Sequence, residues 1–311
     1  MPSSRAALTA GALAVAVLAV SSSAPLIAFA AAPALAVAFW RNSLAALALT
    51  PITVGPRRSE LLGVRGKDLV FSVLAGVALA AHFGTWMPSV QLGSVATATA
   101  LVATQPVWQG LIAAAQGRRP SAIGWLGIGL AVAGVAWATG VDVGVSGRAV
   151  FADGLALAGG AFAAIYTALG ERARVRISTT TYTWICYGVC AALLLVLCLV
   201  ARIPLAGYDK RTWAAILAIV VGAQLLGHSM FNYALHRVSA TTVSVLILLE
   251  VPGAALLAWL WLGQTPRPAT LAGLALLIAG VAVVIVGGGM TAGRTPTATA
   301  SLADAADPSP R

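Results

Sequence analysis

The segment PVWQGLIAAAQGRRPSAIGWLGIGLAVAG, Pro106–Gly134, returns in outline as PGAALLAWLWLGQTPRPATLAGLALLIAG, Pro252–Gly280. Pro106, Gly117, Gly127 and Gly134 correspond to Pro252, Gly263, Gly273 and Gly280, each 146 positions further along. His82 and His228 keep the same interval. Between these landmarks lie apolar runs long enough to cross a bilayer. A repeat of membrane helices is characteristic of secondary transporters, in which two related bundles rock about a central site.

Composition agrees. The chain is 59% hydrophobic and only 9% charged, against about 25% charged in a soluble domain. A soluble core of this make-up would lack the polar surface to cover it. The net charge of +10 sits mostly on arginines in short loops, and no basic stripe interleaves with aromatics. It therefore reads as charge that orients the protein in lipid rather than as a nucleic-acid surface. Cys186, Cys190 and Cys198 share one apolar stretch. They are odd in number and lack a neighbouring His or carboxylate at ligand spacing, so they read as small core or lipid-facing residues. No metal and no cofactor is expected.

Ten spans are predicted, at about 7–29, 34–53, 69–88, 93–115, 121–140, 153–171, 179–201, 212–235, 239–262 and 269–289. This is an all-α polytopic architecture. A short amino-terminal segment, 1–6, precedes a first five-helix repeat, 7–140; a polar, Gly-rich linker, 141–152, leads to a second repeat, 153–289. The tail, 290–311, is Thr, Ala, Asp and Pro and reads as disordered. With a cytoplasmic amino terminus, thirteen Lys and Arg fall on the inner side and five on the outer, which places both termini inside. Five spans per repeat is odd, so the second copy enters from the opposite side and the repeat is inverted. A competing reading takes Arg5, the first apolar run and FAAAPALA as a cleavable secretory signal; it would leave nine spans and spoil the symmetry.

Several spans are interrupted. Ser21-Ser22-Ser23-Ala24-Pro25 predicts a kink whose freed carbonyls the hydroxyls satisfy, either as a cavity wall or as plain packing. Pro106 and Pro252 make the same prediction at matching depth. Gly127 with Gly134, and Gly273 with Gly280, set small residues about two turns apart on one helix face. They suit close packing of the fifth and tenth spans, a homodimer contact being the alternative.

Ionisable groups at membrane depth are costly and usually functional. Glu250 is the one acidic residue deep in a span, and Arg41 lies near the middle of the second. Glu250 either carries a proton during transport or forms a static pair with Arg41 that pins two helices. His82 and His228 are either hydrogen-bonded core residues or part of a site. Trp86 lies one turn beyond His82 and Asn232 one turn beyond His228, so each pair shares a face. Gln105 shares a face with Gln109, and Tyr166 sits mid-span in the sixth. Together these would line a cavity with aromatic walls and a few polar anchors. Trp40 and Trp213 read as interfacial or lipid-facing.

The stretches AFWRNSLAALAL (Ala38–Leu49), HFGTWMPSVQLGSVATATALVATQPVW (His82–Trp108), FNYALHRVSATTVSVLILLEVPGAALLAWLWLGQ (Phe231–Gln264) and LAGLALLIAGVAVV (Leu271–Val284) resemble the drug/metabolite transporter (DMT) superfamily. Within it they resemble the EamA-type exporters. The resemblance implies ten helices as two inverted five-helix repeats, helices one to four and six to nine around a central cavity, and helices five and ten as a buttress. By position, Arg41 matches the Arg common in the second helix of such proteins and Glu250 the Glu common in the ninth. The chain departs from them at Arg118 and Gln264, where the family often has Glu, and at Thr104 or Gln105, which face Glu250 across the repeat.

The expected function is export of small amphipathic, amino-acid-like metabolites or drugs across the cell (plasma or inner) membrane by alternating access. Protons and membrane lipid are the other expected partners, and nucleic acid is not. Glu250 would carry the proton; Arg41, His82, Trp86, Gln105, Tyr166, His228 and Asn232 would shape the substrate site. A facilitative exchanger without proton coupling is the alternative. An intramembrane enzyme is disfavoured, because neither an HExxH nor a Ser–His arrangement with a third group is present.

Overall fold

In a computed structural model the residues described are 4–92, 98, 101–139, 146–262 and 268–286. The expected tail, residues 141–145 of the linker, the start of the fourth span, and Gly263, Gln264 and Arg267 lie outside them. The described residues are helical, with no strand among them. The first span is α1 (Ser4–Ser21) and α2 (Ser23–Phe29), and the second is α3 (Ala34–Val54). A short α4 (Arg58–Gly63) leads to α5 (Gly66–Leu92), the third span. Then come α6 (Gln105–Ala115), α7 (Ala122–Thr139), α8 (Gly147–Ala173) and α9 (Thr179–Val200). The eighth span is α10 (Lys210–Ile219), a π-helical segment (Val220–His228) and α11 (Ser229–Ala234). The ninth is α12 (Ala240–Ile247) and α13 (Glu250–Leu262), and α14 (Pro268–Val286) follows.

Seven helical stretches among the described residues are long and apolar enough to cross a membrane, and two more, Ala122–Trp137 and Leu271–Val286, are shorter apolar helices. Of the fourth span, Ala98, Leu101, Val102 and Gln105–Ala115 are helical among the described residues, so a count of ten full spans goes beyond them. Caps set the boundaries. Ser146 accepts the Ala149 N–H at 3.2 Å, which starts α8 at Gly147, inside the stretch read as linker. Ser178, Asp209 and Ser239 cap α9, α10 and α12 in the same way.

Three spans are broken where the sequence carries Ser or Pro. Between α1 and α2, Ser21 Oγ donates to Val17 O at 2.7 Å and Ser22 Oγ to Ala19 O at 2.8 Å. The fourth span turns at Ala103–Thr104, one residue before Gln105-Pro106, and the ninth at Leu248–Leu249, just before Glu250. The breaks face protein: a Cβ on Gly253 would fall on the Ser21 hydroxyl, and one on Gly160 would stand 3.0 Å from Val102 O. This is the setting in which irregular backbone survives at membrane depth.

The helices pack as α5 on α8, α7 on α14, α3 on α9, α9 on α5, and α1 on the π segment and α11. Glycines let α7 and α14 touch backbone to backbone. A Cβ on Gly127 would lie 2.9 Å from Gly280 O, and one on Gly134 would lie 2.8 Å from Gly273 O. These glycines thus serve an internal contact of one chain. The main core includes Phe83, Met87, Tyr182, Tyr187 and Leu194. All three cysteines are free and buried, on the core side of the two readings.

A candidate substrate chamber

Arg41 and its neighbour Asn42 stand on α3, buried in the middle of the bundle. The guanidinium is 1% exposed. Its Nε donates to Gln224 Oε1 at 2.7 Å, and Gln224 Nε2 donates to Asn42 Oδ1 at 3.1 Å. Its flat face lies 4.3 Å from the centre of the Phe83 ring, a cation–π contact. Its Nη2 has no hydrogen-bond partner among the described residues. No carboxylate comes within 4.0 Å of the guanidinium among the described residues. The static Arg41–Glu250 ion pair, one of the two sequence readings, is therefore not formed. Glutamine holds the arginine instead.

Gln224 belongs to the π-helical segment. There the Ser229 N–H reaches back five residues to Gln224 O. The Ser229 hydroxyl also donates to that carbonyl at 3.3 Å and meets Tyr187 OH at 3.1 Å. A π turn re-aims the side chains around it and is frequent at functional sites. Here it turns Gln224 to Arg41 and brings His228 against rings from two other helices. His228 is edge-on to Phe83 at 5.7 Å and tilted to Tyr166 at 6.3 Å.

His82, Phe83 and Trp86 come from one face of α5. His82 Nδ1 is 2.9 Å from Gly159 O of α8. A side chain on Gly159 would clash with Trp86, its Cβ 2.9 Å from Trp86 Cβ, so glycine permits the close approach. The His82 and Trp86 rings stack 5.7 Å apart at 5°. Trp86 Nε1 is buried and, like Arg41 Nη2, lacks a partner among the described residues. From α8, Tyr166 OH accepts from Asn232 Nδ2 at 2.6 Å. Glu250, at the first turn of α13, is half-buried.

Six of the seven expected substrate-site residues, Arg41, His82, Trp86, Tyr166, His228 and Asn232, thus join through contacts or rings around Phe83. Gln105 lies apart, donating to Thr167 Oγ1 at 3.2 Å beside α8. Phe83, Tyr187, Gln224 and Ser229 were not anticipated. Gln224 lies one turn before His228, a polar residue in an apolar span, and that was its available signal. Trp40 donates to Leu205 O at 2.8 Å and meets Trp213 edge-on at 5.1 Å, an aromatic pair at the end of α3 remote from α4.

The profile of the EamA-like transporter family matches this sequence twice, over residues 5–140 and over residues 150–286. The chain belongs to the EamA-like transporter family. As a family member with several membrane-length apolar helices, this EamA-like chain is a multi-pass membrane protein of a small-molecule transporter family. A protein of known crystal structure is similar to it, with a TM-score of 0.75, 19% identity, and coverage of 90% of this chain and 97% of the other. At that identity the likeness bears on fold alone. No curated protein matches the chain in sequence.

Proposed function

We propose that this EamA-like protein is a proton-coupled exporter of small amphipathic metabolites. It would work by alternating access, with ten helices in two inverted repeats and both termini in the cytoplasm. The observation that carries the reading is the buried Arg41 guanidinium, with its Nη2 unpartnered and no carboxylate in contact among the described residues, inside a ring of aromatic side chains. An uncompensated buried charge is costly, and a substrate with an acceptor group would relieve it. Trp86 Nε1 offers a second donor. Phe83, Trp86, Tyr166 and the two imidazoles would hold the apolar body. Glu250, the carboxylate at the break of the ninth span, would carry the proton, with buried Arg41 as the opposing charge. Small changes in the distance between the two would then bind and release a proton. Gln105, tied to Thr167, would line the approach rather than the chamber.

The inverted arrangement draws support from packing. Exchanging the halves turns the third–sixth contact (α5 on α8) into the eighth–first contact (the π segment and α11 on α1), which is also made. The second–seventh and fifth–tenth contacts map onto themselves, as a twofold relation requires.

The test compares the small molecules released by cells expressing wild type and Glu250→Gln at matched membrane levels. A metabolite enriched outside with wild type alone is the expected result. Equal enrichment with both would remove Glu250 from the mechanism. Counterflow indifferent to a pH gradient would replace proton coupling by facilitated exchange.

A further inference from the structure

A cleft of about 600 Å³ opens on the side of the bundle between α3 and α9, away from the chamber. It is lined by Ser43, Leu47 and Thr50 of α3, by Trp184 and Gly188 of α9, and at one end by Leu61 of α4. Leu47 is 65% exposed, so the cleft faces the surroundings rather than the core. The one long polar group of its wall is already satisfied, since Trp184 Nε1 donates to Thr50 Oγ1 at 3.0 Å. An occupant is therefore apolar where it lies in the cleft. Along α3 the wall runs from Thr50 back to Ser43. That is about 10 Å at 1.5 Å per residue, within the roughly 15 Å depth of one leaflet's hydrocarbon.

Chemistry changes at the α4 end. Arg58, Arg65 and Lys67 are exposed beside Leu61 and the N-terminal turn of α5, and none of them forms an ion pair among the described residues. Of the acidic groups nearby, Glu60 is engaged by Arg57 at 3.0 Å and by the Ser178 N–H, which leaves half-buried Asp68. Three cations thus crown an apolar slot one leaflet deep. A second copy docked here by a twofold axis would set these cations against their own images, so the slot does not suit self-association.

We propose that this cleft binds an anionic phospholipid, with one acyl chain against Leu47, Trp184 and Gly188 and its phosphate on Arg58, Arg65 and Lys67. Basic residues at a membrane surface attract anionic headgroups. The slot between α3 and α9 adds a fixed seat to that attraction. The site does not depend on the transport cycle proposed above.

The test is native mass spectrometry of the full-length protein in detergent, titrated with phosphatidylglycerol or with phosphatidylcholine of the same acyl chains. One phosphatidylglycerol should be retained roughly tenfold more tightly than phosphatidylcholine. Gly188→Leu should remove the bound lipid. A Cβ there meets nothing within 4 Å, so the new side chain fills the slot without straining α9. Replacing Arg58, Arg65 and Lys67 together by Gln should make the two lipids equivalent. Equal retention of the two lipids by wild type would overturn the proposal even if a variant failed to fold. So would unchanged lipid binding by Gly188→Leu, displacement of the lipid by the transported metabolite, or a dimer that Gly188→Leu dissolves.

Discussion

The fourth and ninth spans break at the same place in their repeats, and the two breaks are used differently. In the fourth, Thr104 is fully engaged. Its hydroxyl donates to Leu101 O at 2.6 Å and accepts from Trp108 Nε1 at 3.2 Å, and a Cβ on Gly160 would stand 3.3 Å from it. Gln105, next along, is tied to Thr167. In the ninth, the corresponding turn presents Glu250, half-buried and without an ion pair to Arg41 among the described residues. One break is thus a satisfied packing device, and the other carries a carboxylate with no ion-pair partner among the described residues. The repeat supplies the geometry twice and the chemistry once.

The comparison breaks most severely if the carboxylate is unnecessary. Glu250→Gln is expected to cut pH-driven flux in proteoliposomes by about 100-fold, with far-UV circular dichroism unchanged. Adding Thr104→Glu to that variant is expected to restore nothing, because the fourth-span break faces Gly160 and Trp108. Recovery of pH-driven flux in the double variant would show the two breaks to be interchangeable.

Arg41 comes next. Arg41→Gln should lower kcat/KM by roughly 10- to 100-fold, as expected for loss of a charged hydrogen-bond donor. Arg41→Lys should not restore it. Lysine has neither the planar face that lies over Phe83 nor an Nε positioned for Gln224. A lysine variant with wild-type kinetics would reduce Arg41 to a point charge and make Gln224 irrelevant.

Much of this cluster of polar and aromatic side chains was legible in the sequence. A charged, imidazole or amide group in an apolar span stands out, and the one-turn pairings His82 with Trp86 and His228 with Asn232 placed them on common faces. The breaks were legible too, from Ser21 to Pro25 and at Pro106 and Pro252. What holds Arg41 was not. Pairing by charge points to Glu250, whereas the structure supplies Gln224, turned inward by a π segment that leaves no mark in hydropathy. Phe83 was hidden for the opposite reason: a phenylalanine in an apolar span is indistinguishable from lipid-facing bulk until its neighbours are known. For Gln105, sharing a face with Gln109 did not fix which neighbouring helix that face meets.

The buttress gives a smaller and purely structural effect. Gly280→Leu would drive a side chain into the Gly127 carbonyl, 2.7 Å from the position of its Cβ. Overpacking of this kind costs about 1–3 kcal/mol, read as a lowered thermal midpoint in nanodiscs, while KM should hold. Gly129→Leu on the same helix as Gly127 is the control, for a Cβ there meets nothing within 4 Å. Equal losses from the two would mean that the α7–α14 contact is not what the glycines serve.

The mildest test contrasts Glu250 with a carboxylate that has all its partners. Glu171, at the end of α8, receives Arg118 at 2.8 Å and the Ala240 N–H at 3.3 Å, and Glu60 ties α4 to the start of α9. Burial by itself would raise the Glu60 carboxyl, but hydrogen bonds from Ser178, Arg57 and Thr181 outweigh it and hold the group below its ordinary value of 4.5. A depressed carboxyl stabilises the fold fully above its unfolded value, and the effect fades as pH falls through the folded value. Wild type should therefore exceed Glu60→Gln in thermal stability by less than about 1 kcal/mol at neutral pH. The gap should be flat down to the ordinary value of 4.5 and close only in stronger acid. A Glu60 gap that closed between about pH 7 and 6 instead would mean that its partners do not hold it ionised, and the contrast between tied and free carboxylates would fail at its better-defined end.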